Sequence, residues 1–217
     1  MAQVSGVRLQ FVAKTISLAG LYSLLQPIND GTKLVLAVIL GRTLLRFYNT
    51  PWLSGWNSEK IVFLCYSNSV PLKPLLSPCQ GLGVDNDDDF SAIHPYPDIL
   101  SLGIILLELN LQQSIEAFVA EDGIPYNERT INTRLILAVE TFKKRQAYMC
   151  EGYRMAVNAC LDFNFTEDVC FEEDSNKFRS QIYMRIVKPL EYDLRKGFGN
   201  VIDVNDLDKV AQCTNIQ

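Results

Sequence analysis

Any mechanism built on a Ser-His-Asp or Cys-His pair must run through His94, the only histidine in the chain, because such pairs need an imidazole to take a proton from the nucleophile. His94 sits in Ile93-His94-Pro95-Tyr96-Pro97 with no G-x-S-x-G elbow nearby, so its expected part is that of a hydrogen-bonding loop residue. Carboxylates gather at Asp85, Asp87, Asp88 and Asp89. Their alternate spacing imitates a calcium loop, but Phe90 stands where glycine must turn the chain and Tyr96 where a glutamate must chelate. A solvated acidic loop able to meet a basic partner is the expectation. Gly81-Leu82-Gly83 has the look of a phosphate-cradling turn, yet the acidic run beside it repels phosphate.

Six cysteines, Cys65, Cys79, Cys150, Cys160, Cys170 and Cys213, include no C-x-x-C pair, so zinc and thiol-disulfide chemistry lack their usual spacing and buried free thiols are expected. Asn164-Phe165-Thr166 fits the glycosylation pattern but has no secretory context. Trp52 and Trp56 are read as sealing the core, with an exposed aromatic patch for a partner as the alternative.

The elements that position these residues come from a chain of 217 residues, 48% hydrophobic and 21% charged, enough for one domain with a sizeable core. A formal charge of -5 without a Lys/Arg stripe argues against nucleic acid as a partner. The longest apolar runs, Leu34 to Leu40 and Leu102 to Leu107, are far short of a membrane span. The first 25 residues lack the pattern of a secretory leader, and a cytoplasmic or otherwise intracellular protein is expected.

Leu34, Val35, Val38, Ile39, Leu44, Leu45 and Phe47 recur at helical spacing after Asp30-Gly31-Thr32, which predicts a buried helix capped there. Thr50 to Trp56 breaks it, and Ile61 to Tyr66 reads as a short strand. Five prolines mark Pro71 to Pro97 as loop. Asp98 opens a segment to Leu109 that is apolar on nearly every side, the pattern of a helix enclosed by others. A further helix is predicted over Thr130–Tyr148, its inner face Ile131, Leu135, Ile136, Ala138, Val139 and Phe142 and its cations Lys143, Lys144 and Arg145 near the end. Two more are predicted at Tyr153–Leu161 and at Asn176–Arg195, the second broken or bent at Pro189. The tail past Lys196 reads as polar and less ordered.

Asp98-Ile99-Leu100-Ser101-Leu102-Gly103-Ile104-Ile105-Leu106-Leu107-Glu108-Leu109 resembles the D-x-W-S-L-G-x-x-L-x-E-L segment of the central helix in a protein-kinase C-lobe. The resemblance implies that Asp98 bonds to the backbone of the catalytic loop, and it singles out Gly103 and Glu108 as structural or interaction positions. Together with Thr50-Pro51-Trp52-Leu53, the strand entry Ser58 to Leu64, and Val187-Lys188-Pro189-Leu190-Glu191, it is similar to a fungal family of kinase-like C-terminal domains of unknown function. Some members of that family sit beside HeLo-type or prion-inhibition-type regions. The implied fold is mainly α, a C-lobe-like helical domain around a central buried helix, with little β and no complete N-lobe. Residues 1–17 would be an N-terminal segment with a possible N-lobe remnant, 18–195 the domain and 196–217 a polar tail.

Set against that resemblance, the residues of phosphotransfer are missing. If Ile61-Val62-Phe63 follows the catalytic loop, Leu53-Ser54-Gly55 stands where H-R-D belongs and Lys60 where the metal-binding Asn belongs. Val12-Ala13-Lys14 is too close to that loop to hold an N-lobe lysine, and Asp89-Phe90-Ser91 too close to Asp98 to leave an activation segment. The expected function is therefore a non-catalytic interaction or regulatory module with a protein partner, no cofactor, no metal and no ATP binding. An atypical nucleotide- or metal-binding enzyme using the remnant cleft, or a fragment of a larger kinase-like protein, are the alternatives.

Overall fold

The computed structural model describes residues 14–23, 27–65, 70–77, 94–121, 131–162, 175–200, 202–207 and 215–216. The Gly81-Leu82-Gly83 turn, the acidic run, Asp89-Phe90-Ser91, Asn164 to Thr166, and Cys79, Cys170 and Cys213 lie outside them. In chain order the elements are β1 (Lys14–Ser17), α1 (Leu18–Leu21), α2 (Asp30–Phe47), β2 (Ile61–Cys65), β3 (Val70–Pro71), β4 (Leu75–Leu76), α3 (Pro97–Leu111), α4 (Ile115–Glu121), α5 (Ile131–Arg145), α6 (Glu151–Leu161), α7 (Ser175–Ile182), α8 (Lys188–Phe198) and β5 (Asn215–Ile216). The fold is mainly helical, as the apolar periodicity predicts.

Helix α3 is the enclosed post. Ile99, Leu100 and every residue from Leu102 to Leu109 are buried, and α2, α4, α5 and α6 all pack against it. Pro97 starts it, where a missing N–H costs nothing, and Gln112 ends it in the left-handed region at φ 57°. That conformation is held by the Gln112 side chain, whose Oε1 accepts from the Ile28 N–H at 2.7 Å while Nε2 donates to the Ile28 carbonyl at 3.1 Å. The end of α3 is thereby tied to the entry of α2. Gly103 lies where α3 meets α6: a Cβ there would stand 2.7 Å from Cys160 Cβ, so only glycine permits this approach.

Helix α2 begins one residue before the predicted cap. Asn29, extended at φ -69° and ψ 159°, accepts the Thr32 N–H on its side chain, and Asp30 enters the first turn, where the dipole favours it. In α5 the inner stripe is also corrected: Leu137 is buried, and Ile136 is 58% exposed. Helix α4 was not anticipated; Ser114 Oγ accepts from the Ala117 N–H and starts it.

The last long helix is not broken at Pro189. Instead α7 runs into a π-helical turn, Tyr183–Val187, and then into α8 with Pro189 in its first turn. Widening the turn before proline accommodates a residue that lacks an N–H and whose ring crowds the carbonyl four residues back. Helices α8 and α6 cross at Gly152, where the Pro189 carbonyl oxygen occupies the space of a Cβ.

At the α6 N-cap, Cys150 makes no side-chain capping bond; Asp193 of α8 supplies one instead, accepting the Tyr153 N–H at 2.7 Å. Replacing Asp193 by alanine is expected to cost about 1–2 kcal/mol, the usual loss for a helix cap, as a lower urea midpoint with an unchanged slope. Asparagine, which keeps an acceptor oxygen, should recover most of it. A loss below about 0.3 kcal/mol in the alanine variant contradicts the capping role.

The β structure is small. Strands β1, β2 and β4 form an antiparallel sheet in which Lys14 faces Cys65 and Ile61 faces Leu76. The stretch read as loop from Pro71 thus contributes two short strands, because the backbone of Leu75–Leu76 pairs with the open edge of β2 and Val70–Pro71 pairs with β5. Residues 14–17, the described end of the N-terminal segment, pair with β2. The tail also returns: a 3-10 turn, Val204–Asp206, leads to Leu207, which is 4% exposed, and β5 pairs with β3. Of the described cysteines, Cys160 is buried as expected and Cys65 half-buried, whereas Cys150, on the outside of the α6 N-terminus, is exposed.

Candidate functional site

The segment between α2 and β2, residues 48–60, is the place where the resemblance puts a catalytic loop, and α3 holds it at both ends. Asn49, in a left-handed conformation at φ 58°, follows the end of α2. Burial raises the Asp98 pKa, and the nearby Asn49 backbone N–H lowers it in part. Trp56, 2% exposed, donates its indole N–H to the Asp98 carbonyl at 3.1 Å. Ten positions further along α3, about 15 Å up the axis, Glu108 Oε2 accepts the Ser58 hydroxyl at 2.6 Å. The two acidic residues of one helix thus bracket one loop.

Inside the loop, Leu53 is fully buried and Gly55 turns at φ 58°. Lys60 Nζ donates to the Gly55 carbonyl at 2.8 Å, and the Asn57 side chain accepts the N–H groups of Glu59 and Lys60, both at 3.0 Å. A lysine ammonium therefore closes the turn. No residue from Leu53 to Gly55 carries a carboxylate to take a proton.

Around Glu108 lies a polar cavity of about 340 Å³, with Ser58, Glu59, Ser114, Glu116 and Arg134 among its walls. Glu108 is 1% exposed, and burial pushes its carboxyl up, opposed by the Ser58 hydroxyl and the Arg134 charge. Arg134 reaches from α5 to bridge two carboxylates, its Nη2 3.2 Å from Glu108 and its Nε 2.8 Å from Glu116. The cation in this cavity is the chain's own guanidinium. Tyr22, whose pKa rises well above its ordinary value through burial and then the nearby Glu108 charge, has a hydroxyl with no hydrogen-bond partner among the described residues. Among those residues no group of three or more His, Cys, Asp or Glu is placed to hold a metal ion.

Of the residues singled out from the sequence, Asp98, Trp56 and Glu108 meet at this loop, while Gly103 faces α6. Trp52 departs from the expectation of sealing the core: it is 60% exposed, because Leu53 takes the inward position of the turn. His94 is buried, its Nδ1 accepts the Tyr96 N–H at 3.1 Å, and burial lowers its pKa. Tyr96 in turn packs on Phe178, which also meets Tyr48, so the starts of α3 and α7 and the end of α2 form one aromatic wedge beside Asp98.

Ser58 and Arg134 were missed. Arg134 had a signal: with Leu137, Ala138 and Thr141 it occupies the buried stripe of α5 at spacings of three, four and seven. Ser58, inside an irregular turn, had none.

Among the described residues no helix is long and apolar enough to cross a membrane. No curated protein and no solved structure matches the chain. The profile of a domain of unknown function, DUF7580, matches residues 12–197, which takes in β1 to α8 and the whole of the loop and cavity just described. The chain belongs to the DUF7580 family.

Proposed function

We propose that this domain is a non-catalytic, kinase-like interaction or regulatory module that works inside the cell through a protein partner. The reading rests on one observation above the rest: where a kinase carries its proton acceptor and metal-binding Asn, the chain has Gly55 and Lys60, bonded to each other at 2.8 Å. A positive charge there repels a divalent ion, and a glycine accepts no substrate proton. Kinship with a kinase C-lobe, and with the fungal family named above, is supported by the Asp98 to Leu109 motif, the enclosed α3 and the Trp56 bond to the Asp98 carbonyl. The exposed Trp52 gives the altered loop an aromatic anchor of the kind that partner surfaces use.

The test is a thermal-shift titration of the full chain with ATP and Mg²⁺. The melting temperature is expected to stay within about 0.5 °C up to millimolar nucleotide, since a ligand that does not bind the native state cannot stabilise it. A saturable rise that requires Mg²⁺ would favour the rival, an enzyme using the remnant cleft.

A further inference from the structure

Away from the loop, α2 and the turn that follows α8 enclose a groove of about 270 Å³. Its walls include Arg42 and Arg46, Asn205 of the 3-10 turn, and the apolar side chains Ile39, Phe47 and Leu207. Arg42 and Arg46 are four positions apart on α2, hence on one face. Among the described residues no carboxylate lines this groove, although the chain as a whole is acidic at -5.

Arg42 is held in place by Glu191 of α8, which accepts from its Nε at 2.9 Å and its Nη2 at 2.6 Å. Arg46 differs. Its guanidinium carbon stands 5.7 Å from the centroid of the Phe47 ring, its side chain is exposed, and it has no ion pair among the described residues. A guanidinium anchored over an aromatic face keeps its planar fork of N–H donors for an oxyanion, the group that fork matches best. The apolar part of the lining is Ile39 and Phe47, both half-buried, and Leu207, only 4% exposed.

We propose that this groove binds an amphiphilic oxyanion, a carboxylate or phosphate head on Arg46 and Arg42 with a short apolar body against Ile39, Phe47 and Leu207. The proposal goes beyond the function read from the loop and does not depend on it. The Asn205 amide, on the tail side, supplies a further donor. The C-terminal turn is then one wall of a binding site.

Octyl phosphate, octanoate, inorganic phosphate and octanol, titrated into the full chain by calorimetry at low salt, test it. Octyl phosphate is expected to bind at least about tenfold more tightly than either inorganic phosphate or octanol, a difference of roughly 1.4 kcal/mol. Octanoate binding as well assigns the site to oxyanions in general, and its silence assigns it to phosphates; either supports the proposal. Arg46→Gln is expected to weaken octyl phosphate binding about fivefold or more while leaving the unfolding midpoint unchanged, since Arg46 is exposed and outside the ion pairs of α2. Equal binding of octanol and octyl phosphate, equal binding of inorganic and octyl phosphate, or unaltered affinity in Arg46→Gln overturns it. The same variant separates this groove from the loop: a nucleotide-induced stabilisation that survives Arg46→Gln belongs to the cleft and leaves the oxyanion site to be judged on its own titration.

Discussion

Gly152→Ala is expected to destabilise the domain by about 3 kcal/mol or more, although the same change on an open helix stabilises by roughly 0.5–1 kcal/mol. The reversal of sign follows from the α6/α8 crossing. A Cβ at Gly152 would overlap the Pro189 carbonyl oxygen and stand 2.8 Å from its carbon and 2.9 Å from Asp193 Cγ. The first two are backbone atoms, fixed by the π turn and the start of α8, so relief requires α8 to move away from α6. That movement also pulls Asp193 from the Tyr153 N–H, and the cap is lost with the packing. For a chain of this size, with each kcal/mol worth about 2–4 °C, the melting temperature should fall by roughly 6–12 °C. A variant as stable as the parent would mean that the two helices do not cross as closely as described.

Arg134→Met should come next, with a loss of about 3 kcal/mol, the scale for removing one partner of a buried ion pair. Methionine fills much of the arginine stem's volume, so the loss reports charge rather than a void. Glu108, 1% exposed, would keep the Ser58 hydroxyl but no cation. Its carboxyl, already raised by burial, then rises further. A carboxyl whose folded pKa exceeds its unfolded one stabilises fully below the unfolded value and loses that contribution as pH rises through the folded one. The deficit of Arg134→Met against the parent should accordingly shrink as pH falls through the carboxylate range. Adding Glu108→Gln should recover part of the loss at neutral pH. A deficit independent of pH, with no recovery in the double variant, would show that Arg134 acts through packing alone.

Both changes concern contacts that a linear reading handles poorly. The rod from Asp98 to Leu109 was legible because a helix surrounded on all sides has no polar face to write, and the chain shows this in consecutive Ile and Leu residues. The first and last acids of that rod were legible as a motif. Their shared role was not, since the bonds from Trp56 and Ser58 come from an irregular turn with no periodicity to place it. The pairing of Asn215–Ile216 left no signal for a related reason: a two-residue strand depends on an edge offered by β3, far away in sequence. Trp52 and Trp56 have the same chemistry and stand four residues apart in one turn, whose direction leaves the first exposed and the second buried. Pro189 carried a local signal, but its close approach to Gly152 is a property of two helices packed together.

The claim on which the rest depends is that α3 is the enclosed post to which the loop between α2 and β2 is fastened. Native-state hydrogen exchange across α3 tests it most directly. Amides from Leu102 to Leu107 are expected to exchange only through global unfolding, with a free energy equal to that from urea denaturation. Exchange of the Leu102–Leu107 amides through local opening, at a cost well below the global value, would contradict the account.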